Sequence, residues 1–170
     1  LILARAFFGW NDQGFGLAFD VATHVGTLLA IFVYFREDIL GMARALPRLW
    51  SGTDLDARRL RLIAIGTIPV VIVGGLGADW IEAHTRTPQV AAVTLAIGAV
   101  LFLIVERIGT QARRDDGGMS VTQALIFGVA QSTALVPGVS RSGSTIIAGM
   151  SMGFSRAASA RFGFLLGIPA

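Results

Sequence analysis

The sequence contains no cysteine and no lysine, one tyrosine and two histidines in 170 residues. Without cysteine, disulfides and thiolate metal sites are excluded, and two isolated histidines are too few for a metal cage. Charge is scarce at 15%, against 54% hydrophobic residues and a mean hydropathy of +0.68. That balance is too apolar for an ordinary soluble domain and identifies a polytopic membrane protein. All 14 basic residues are arginines. The resulting pI of about 10.9 does not point to nucleic acid, because the arginines sit between apolar runs rather than along one stripe. No linker is rich enough in Pro, Gly or Ser to divide the chain, so residues 1–170 read as one integral membrane domain. No cleavable signal is visible. Because it starts at Leu1 and stops inside the apolar run Phe162 to Ala170, the chain is expected to be a piece of a longer protein, cut at both ends.

A hydrocarbon core about 30 Å thick takes roughly 20 apolar residues in helical form. Three segments fit: Leu17 to Phe35, Leu62 to Trp80 with Pro69 and the cluster Gly74-Gly75-Leu76-Gly77, and Pro88 to Val105. A fourth, Val121 to Val136, is shorter and interrupted by Gln123, Gln131, Ser132 and Thr133, and Thr145 to Phe154 is shorter still. Short, interrupted apolar pieces predict helices that enter the membrane without crossing it. The expected fold is all-α, a polytopic helical bundle with a re-entrant helix-loop-helix.

Arginine bias orients the spans. Arg36, Arg44, Arg48, Arg58, Arg59 and Arg61 come after the first segment, and Arg107, Arg113 and Arg114 after the third. The loop between the second and third offers only Arg86. The arginine-rich linkers are therefore cytoplasmic, and the fourth segment rises from the cytoplasmic side and brings its C-terminal end to mid-membrane or beyond, toward the outer face.

That end runs into Val136-Pro-Gly-Val-Ser-Arg-Ser-Gly-Ser-Thr-Ile146. An arginine near the bilayer centre costs about 2.5 to 3.5 kcal/mol on insertion scales, so Arg141 is kept there by a partner or a wet cavity. Gly138 and Gly143 let backbone N–H groups converge, Ser140, Ser142, Ser144 and Thr145 add hydroxyls, and a helix starting near Thr145 would aim its N-terminus at the same spot. Together these features bind a phosphate or another tetrahedral anion. A structural alternative has Arg141 capping helix ends or pairing with a distant acid.

Gly128 to Ile146, G-V-A-Q-S-T-A-L-V-P-G-V-S-R-S-G-S-T-I, resembles the C-terminal signature of the bacterial undecaprenyl pyrophosphate phosphatases, the bacitracin-resistance type of membrane phosphatase. Phe19 to Arg36 is similar to that family's third-helix region. The resemblance implies hydrolysis of undecaprenyl diphosphate to the monophosphate, recycling the carrier lipid for peptidoglycan and other envelope polymers. It also implies a bacterial inner-membrane location, a site open to the periplasmic side, and inverted repeats that meet at the midplane. Residue by residue, Arg141 matches the essential arginine and Ser140 the catalytic serine beside it. Gly138, Ser142, Gly143, Ser144 and Thr145 match the substrate-holding turn, and Gln131 a polar residue related by pseudo-symmetry to glutamates of a first motif. That first motif, with a Ser-Ser-x-x-His turn, would end about where Leu1 begins. Its glutamates and histidine are not carried over, and the 170 residues alone are expected to be inert. The implied partners are polyprenyl diphosphate and membrane lipids, with a homodimer left open and no nucleic acid. No cofactor is required by these residues; a divalent cation, Mg²⁺ or Ca²⁺, stays open, with no carboxylate cluster here to hold it. The alternative function is a transporter or flippase for an anionic lipid phosphate, which also uses broken helices and a midplane arginine.

Other residues carry structural readings. Asp20 and His24, at i and i+4, read as a polar pair facing the bundle. Gly149-x-x-x-Gly153 and Gly163-x-x-x-Gly167 read as close helix contacts. Trp10, Trp50 and Trp80 read as interfacial anchors. Phe32 and Phe35 could border a groove for the prenyl tail, Glu106-Arg107 and Arg113-Arg114 read as headgroup contacts, and Asp115-Asp116-Gly117-Gly118 as a flexible turn.

Overall fold

The computed structural model describes residue 7, residues 16–108 and residues 114–169, with backbone alone at 16–20 and 116. The side chain of Asp20 and the whole of Trp10 and Arg113 lie outside the described residues. Over residues 16–108 and 114–169 seven α-helices succeed one another: α1 Gly16–Tyr34, α2 Arg36–Ala45, α3 Leu55–Thr85, α4 Pro88–Ile108, α5 Val121–Ser132, α6 Arg141–Ser151 and α7 Arg156–Leu166. Short 3₁₀ turns at Leu46–Arg48, Asp116–Gly118 and Thr133–Leu135 join them, and no strand occurs among the described residues. The all-α membrane fold expected from the sequence is the one observed.

Helices α3 and α4 are each long and apolar enough to cross a membrane. Only 6% of the most apolar stretch of α4 is buried within the protein, so its Leu, Ile and Val side chains face outward as a lipid-facing helix requires. The second span runs further than the apolar pattern indicates. Asp54 caps it by accepting from the N–H groups of Asp56 and Ala57, and the helix continues through Pro69 to Thr85. The arginine-rich linker is also more ordered than a linker. It folds as α2, whose Asp38 receives Arg59 of α3 at 3.3 Å and Arg161 of α7.

Connections at one end settle the path of the last three helices. Glu106, near the end of α4, pairs with Arg156 at the start of α7 at 2.5 Å, and the Arg114 carbonyl accepts from Ser155 N–H at 2.9 Å. Arg58 donates to the carbonyls of Gly117 and Met119, just before α5 begins. The start of α5 and the end of α6 are therefore at the same end of the bundle, and the chain between them goes in and comes back. Eleven residues of α6 rise about 16 Å, roughly half the hydrocarbon thickness. This is the re-entrant hairpin that the short fourth segment implies. The same bonds correct two surface readings: Glu106 is an interhelical pin rather than a headgroup contact, and the Asp115 to Gly118 turn is held by Arg58.

The core lies where α5 and α7 meet α3 and α6, built on Phe127, Phe154, Phe162, Leu165 and Leu166, all essentially inaccessible. Phe35 belongs to its edge, buried against Phe164 at 6.2 Å, and is a packing residue of the core. Close helix crossings rest on missing side chains. A Cβ on Gly128 of α5 would overlap the carbonyl oxygen of Gly66 of α3, and one on Gly66 would stand 2.9 Å from the Ala124 oxygen. Each predicted glycine pair divides its labour: Gly149 and Gly163 make close contacts with Ser159 and Thr145, whereas Gly153 (φ +85°) and Gly167 terminate helices.

Gly128→Ala is expected to lower stability by about 1 to 3 kcal/mol through backbone overlap, while Gly74→Ala, which meets nothing within 4 Å, should be neutral or stabilising by up to about 1 kcal/mol. Thermal unfolding in detergent checks the pair. Asp38→Asn should cost about 1 to 3 kcal/mol by withdrawing one carboxylate from two guanidinium groups, whereas Glu37→Gln on the exposed side of α2 should be silent in the same assay.

Candidate functional site

The turn 136–140 reverses the chain inside the bundle, and each part of it is held. Gly138 has φ +90°, and a Cβ there would collide with the Ala91 backbone and the Thr94 hydroxyl, so only glycine lets the turn lie against α4. Thr94 Oγ1 donates to the Pro137 carbonyl at 2.7 Å, which fixes the turn's depth along α4. Nothing in the sequence marks Thr94, since a threonine inside an apolar helix carries no spacing signal.

Helix α6 begins at Arg141, four residues before the expected start, because Ser140 caps it. The Ser140 hydroxyl accepts from Gly143 N–H at 3.1 Å, and its carbonyl accepts from Ser144 N–H at 2.8 Å. This corrects the expected donor set. The Gly143 and Ser144 amides are committed to the cap, and the amides without an intrahelical partner are those of Arg141 and Ser142. The Ser144 hydroxyl donates back to the Arg141 carbonyl at 2.9 Å. Thr145 is fully buried, with its hydroxyl on the carbonyls of Arg141 and Ser142 and its side chain against Gly163. It therefore holds the first turn of α6 together and presents no group to a ligand.

Arg141 differs from the ion-paired arginines. Arg36, Arg48, Arg59, Arg86, Arg156 and Arg161 each have a carboxylate within 4 Å. The exposed Arg141 guanidinium reaches instead a single carbonyl, that of Gly167 at 3.4 Å at the end of α7, and pairs with no acid among the described residues. A helix C-terminus is a favourable place for a cation, but one long bond leaves most of the five N–H donors unused. The guanidinium opens onto a cleft of about 570 Å³ walled by α1, α3, α5, α6 and α7, which also includes His24, Thr27, Gln131 and Ser142.

On the other side of the turn lies an apolar groove of about 670 Å³ between α4 and α6, bordered by Leu95, Ile97, Leu101, Phe102, Ile146 and Ile147. Its polar end is formed by Gly138, Ser140, Gly143 and Ser144. Val139 and Ser142 line both spaces, so they form the ridge between a cationic cleft and an apolar groove. The sequence-predicted residues thus divide in two: Arg141, Gln131 and Ser142 meet in the cleft, and Gly138, Ser140, Gly143 and Ser144 border the groove. His24, read from the sequence as half of a structural pair, lines the cleft beside them. His24 and Arg141 are the ionisable side chains on that wall. Among the described residues no three His, Asp or Glu side chains cluster, so these residues by themselves offer no divalent cation a ligand set.

A cationic cleft and an apolar groove thus meet at one turn, and the chain resembles known proteins over nearly its whole length. It is 44% identical to an undecaprenyl-diphosphatase of Rubrobacter xylanophilus, 43% to one of Thioalkalivibrio sulfidiphilus and 42% to one of Hahella chejuensis, in each case over 99% of this chain. It spans about 63% of the length of each of those relatives. The sequence profile of the family described as "Bacitracin resistance protein BacA" matches residues 1–170, end to end. The chain belongs to the bacitracin resistance protein BacA family.

Proposed function

We propose that the protein carrying this segment hydrolyses undecaprenyl diphosphate to undecaprenyl phosphate and phosphate, returning the carrier lipid to peptidoglycan and envelope-polymer synthesis and conferring bacitracin resistance. The observation that carries this reading is Arg141: a guanidinium without a carboxylate partner among the described residues, at a helix N-terminus, on the wall of a cleft that a ridge separates from an apolar groove. Phosphoryl transfer asks the protein mainly to position its reactants and to neutralise charge on the transferred group. Arg141 supplies the charge bidentately, in a planar geometry that an ammonium group does not reproduce. The Ser142 hydroxyl and the Arg141 and Ser142 amides aim at the same phosphoryl group, and Ser140 fixes where α6 starts. The prenyl chain lies along the groove between α4 and α6.

Arginine bias supports a cytoplasmic position for the Arg58, Arg107 and Arg114 end and a cleft that opens toward the periplasmic face of the bacterial inner membrane. A divalent cation, if one assists, requires carboxylates beyond those gathered here. Membrane lipids surround the exposed faces of α3 and α4, and self-association into a homodimer would use the same outward surfaces.

In a full-length protein containing this segment, Arg141→Lys is expected to reduce kcat/KM for a polyprenyl diphosphate by about 100-fold or more, read as phosphate release in detergent. Undiminished turnover removes Arg141 from the reaction. Movement of the lipid across a vesicle bilayer without phosphate release would point to a flippase instead.

A further inference from the structure

Gln131 ends α5 on the cleft wall and is 1% exposed. Its Nε2 donates to the Leu166 carbonyl at 3.4 Å, which fixes the amide orientation, since the flipped form would set two oxygens against each other. Oε1 then points away from Leu166 and has no hydrogen-bond partner among the described residues. A buried acceptor left unpaired is costly, so retaining one beside the cleft calls for a ligand that satisfies it.

The chemistry of that ligand is set by the polarity of the atom. Oε1 only accepts, and an ionised phosphoryl oxygen held by Arg141 also only accepts, so the two repel. The partner for Oε1 is an O–H donor standing next to the phosphoryl group. On the basis of the hydrolase reading, we infer that Gln131 is the water-positioning residue: Oε1 accepts a hydrogen bond from the attacking water and turns a lone pair of that water toward the terminal phosphorus. The new P–O bond forms to the water oxygen. The anhydride P–O bond breaks, and its electron pair leaves on the bridging oxygen of the lipid monophosphate. Both protons of the water depart with the inorganic product as dihydrogen phosphate. The amide itself gains and loses none, which distinguishes its role from that of a general base. Glutamine orients water in this manner in other phosphoryl-transfer sites.

The test is Gln131→Met in a full-length protein containing this segment, because methionine fills similar volume without polar atoms. The expected result is a fall in kcat of about 100-fold with KM changed by less than about threefold and unchanged affinity for a methylene-bridged polyprenyl diphosphonate. Because methionine also forfeits the Nε2 hydrogen bond to the Leu166 carbonyl, a lower thermal midpoint is expected, and retained diphosphonate affinity is what shows that the site is still formed. Two results overturn the inference: turnover within about threefold of native, or loss of diphosphonate binding, which would mean that the amide holds the anion directly. Absence of phosphate release by the native protein overturns the hydrolase reading together with this one, whereas an active Gln131→Met variant overturns this one alone.

Discussion

A chain that reverses direction between apolar helices must satisfy its own peptide groups there, because neither lipid nor close-packed side chains will do so. The turn 136–140 meets this demand from three directions. Thr94 takes up the Pro137 carbonyl, Ser140 closes the first turn of α6, and Gly138 removes the side chain that would hold the loop off α4. Everything the cleft can do depends on that closure. It sets where α6, and with it Arg141, begins. The close Gly66 and Gly128 crossing secures the other arm of the hairpin by bringing α5 onto the backbone of α3.

The same constraint separates the two roles of polar residues in this region. Thr145, Ser144 and the Gly143 amide spend their hydrogen bonds on the helix, so the residues that look like ligands in a row of serines and glycines are partly its scaffolding. The unused capacity is concentrated in Arg141, Ser142 and Gln131. Arg141 keeps most of its donors unused, Gln131 keeps a buried acceptor unpaired among the described residues, and both residues line one cleft. They stand on opposite arms of one hairpin.

Much of this is legible from the residues alone. Apolar runs of the right length locate α1, α3 and α4, because hydropathy reports directly on burial in lipid. The interruption by Gln131, Ser132 and Thr133 signals the hairpin. What periodicity does not supply is capping and register. Apolar pattern alone starts α6 at Thr145, since Arg141 to Ser144 read as loop, and only the Ser140 cap shows why helix begins earlier. Likewise α2 is hidden in an arginine-rich stretch, because its ties to Arg59 and Arg161 are made across long sequence separations. His24 is visible as a residue, but its place on the cleft wall depends on how α1 stands beside α7, which no local pattern encodes.

The ridge formed by Val139 and Ser142 carries a kinetic consequence. A molecule whose head sits on one side of that ridge and whose tail sits on the other reaches its seat by lateral diffusion within the leaflet, never by way of bulk solvent. Encounter frequency then scales with the mole fraction of the lipid among its neighbours rather than with its molarity. Dilution with inert amphiphile at constant total concentration would empty that seat as effectively as withholding the lipid itself.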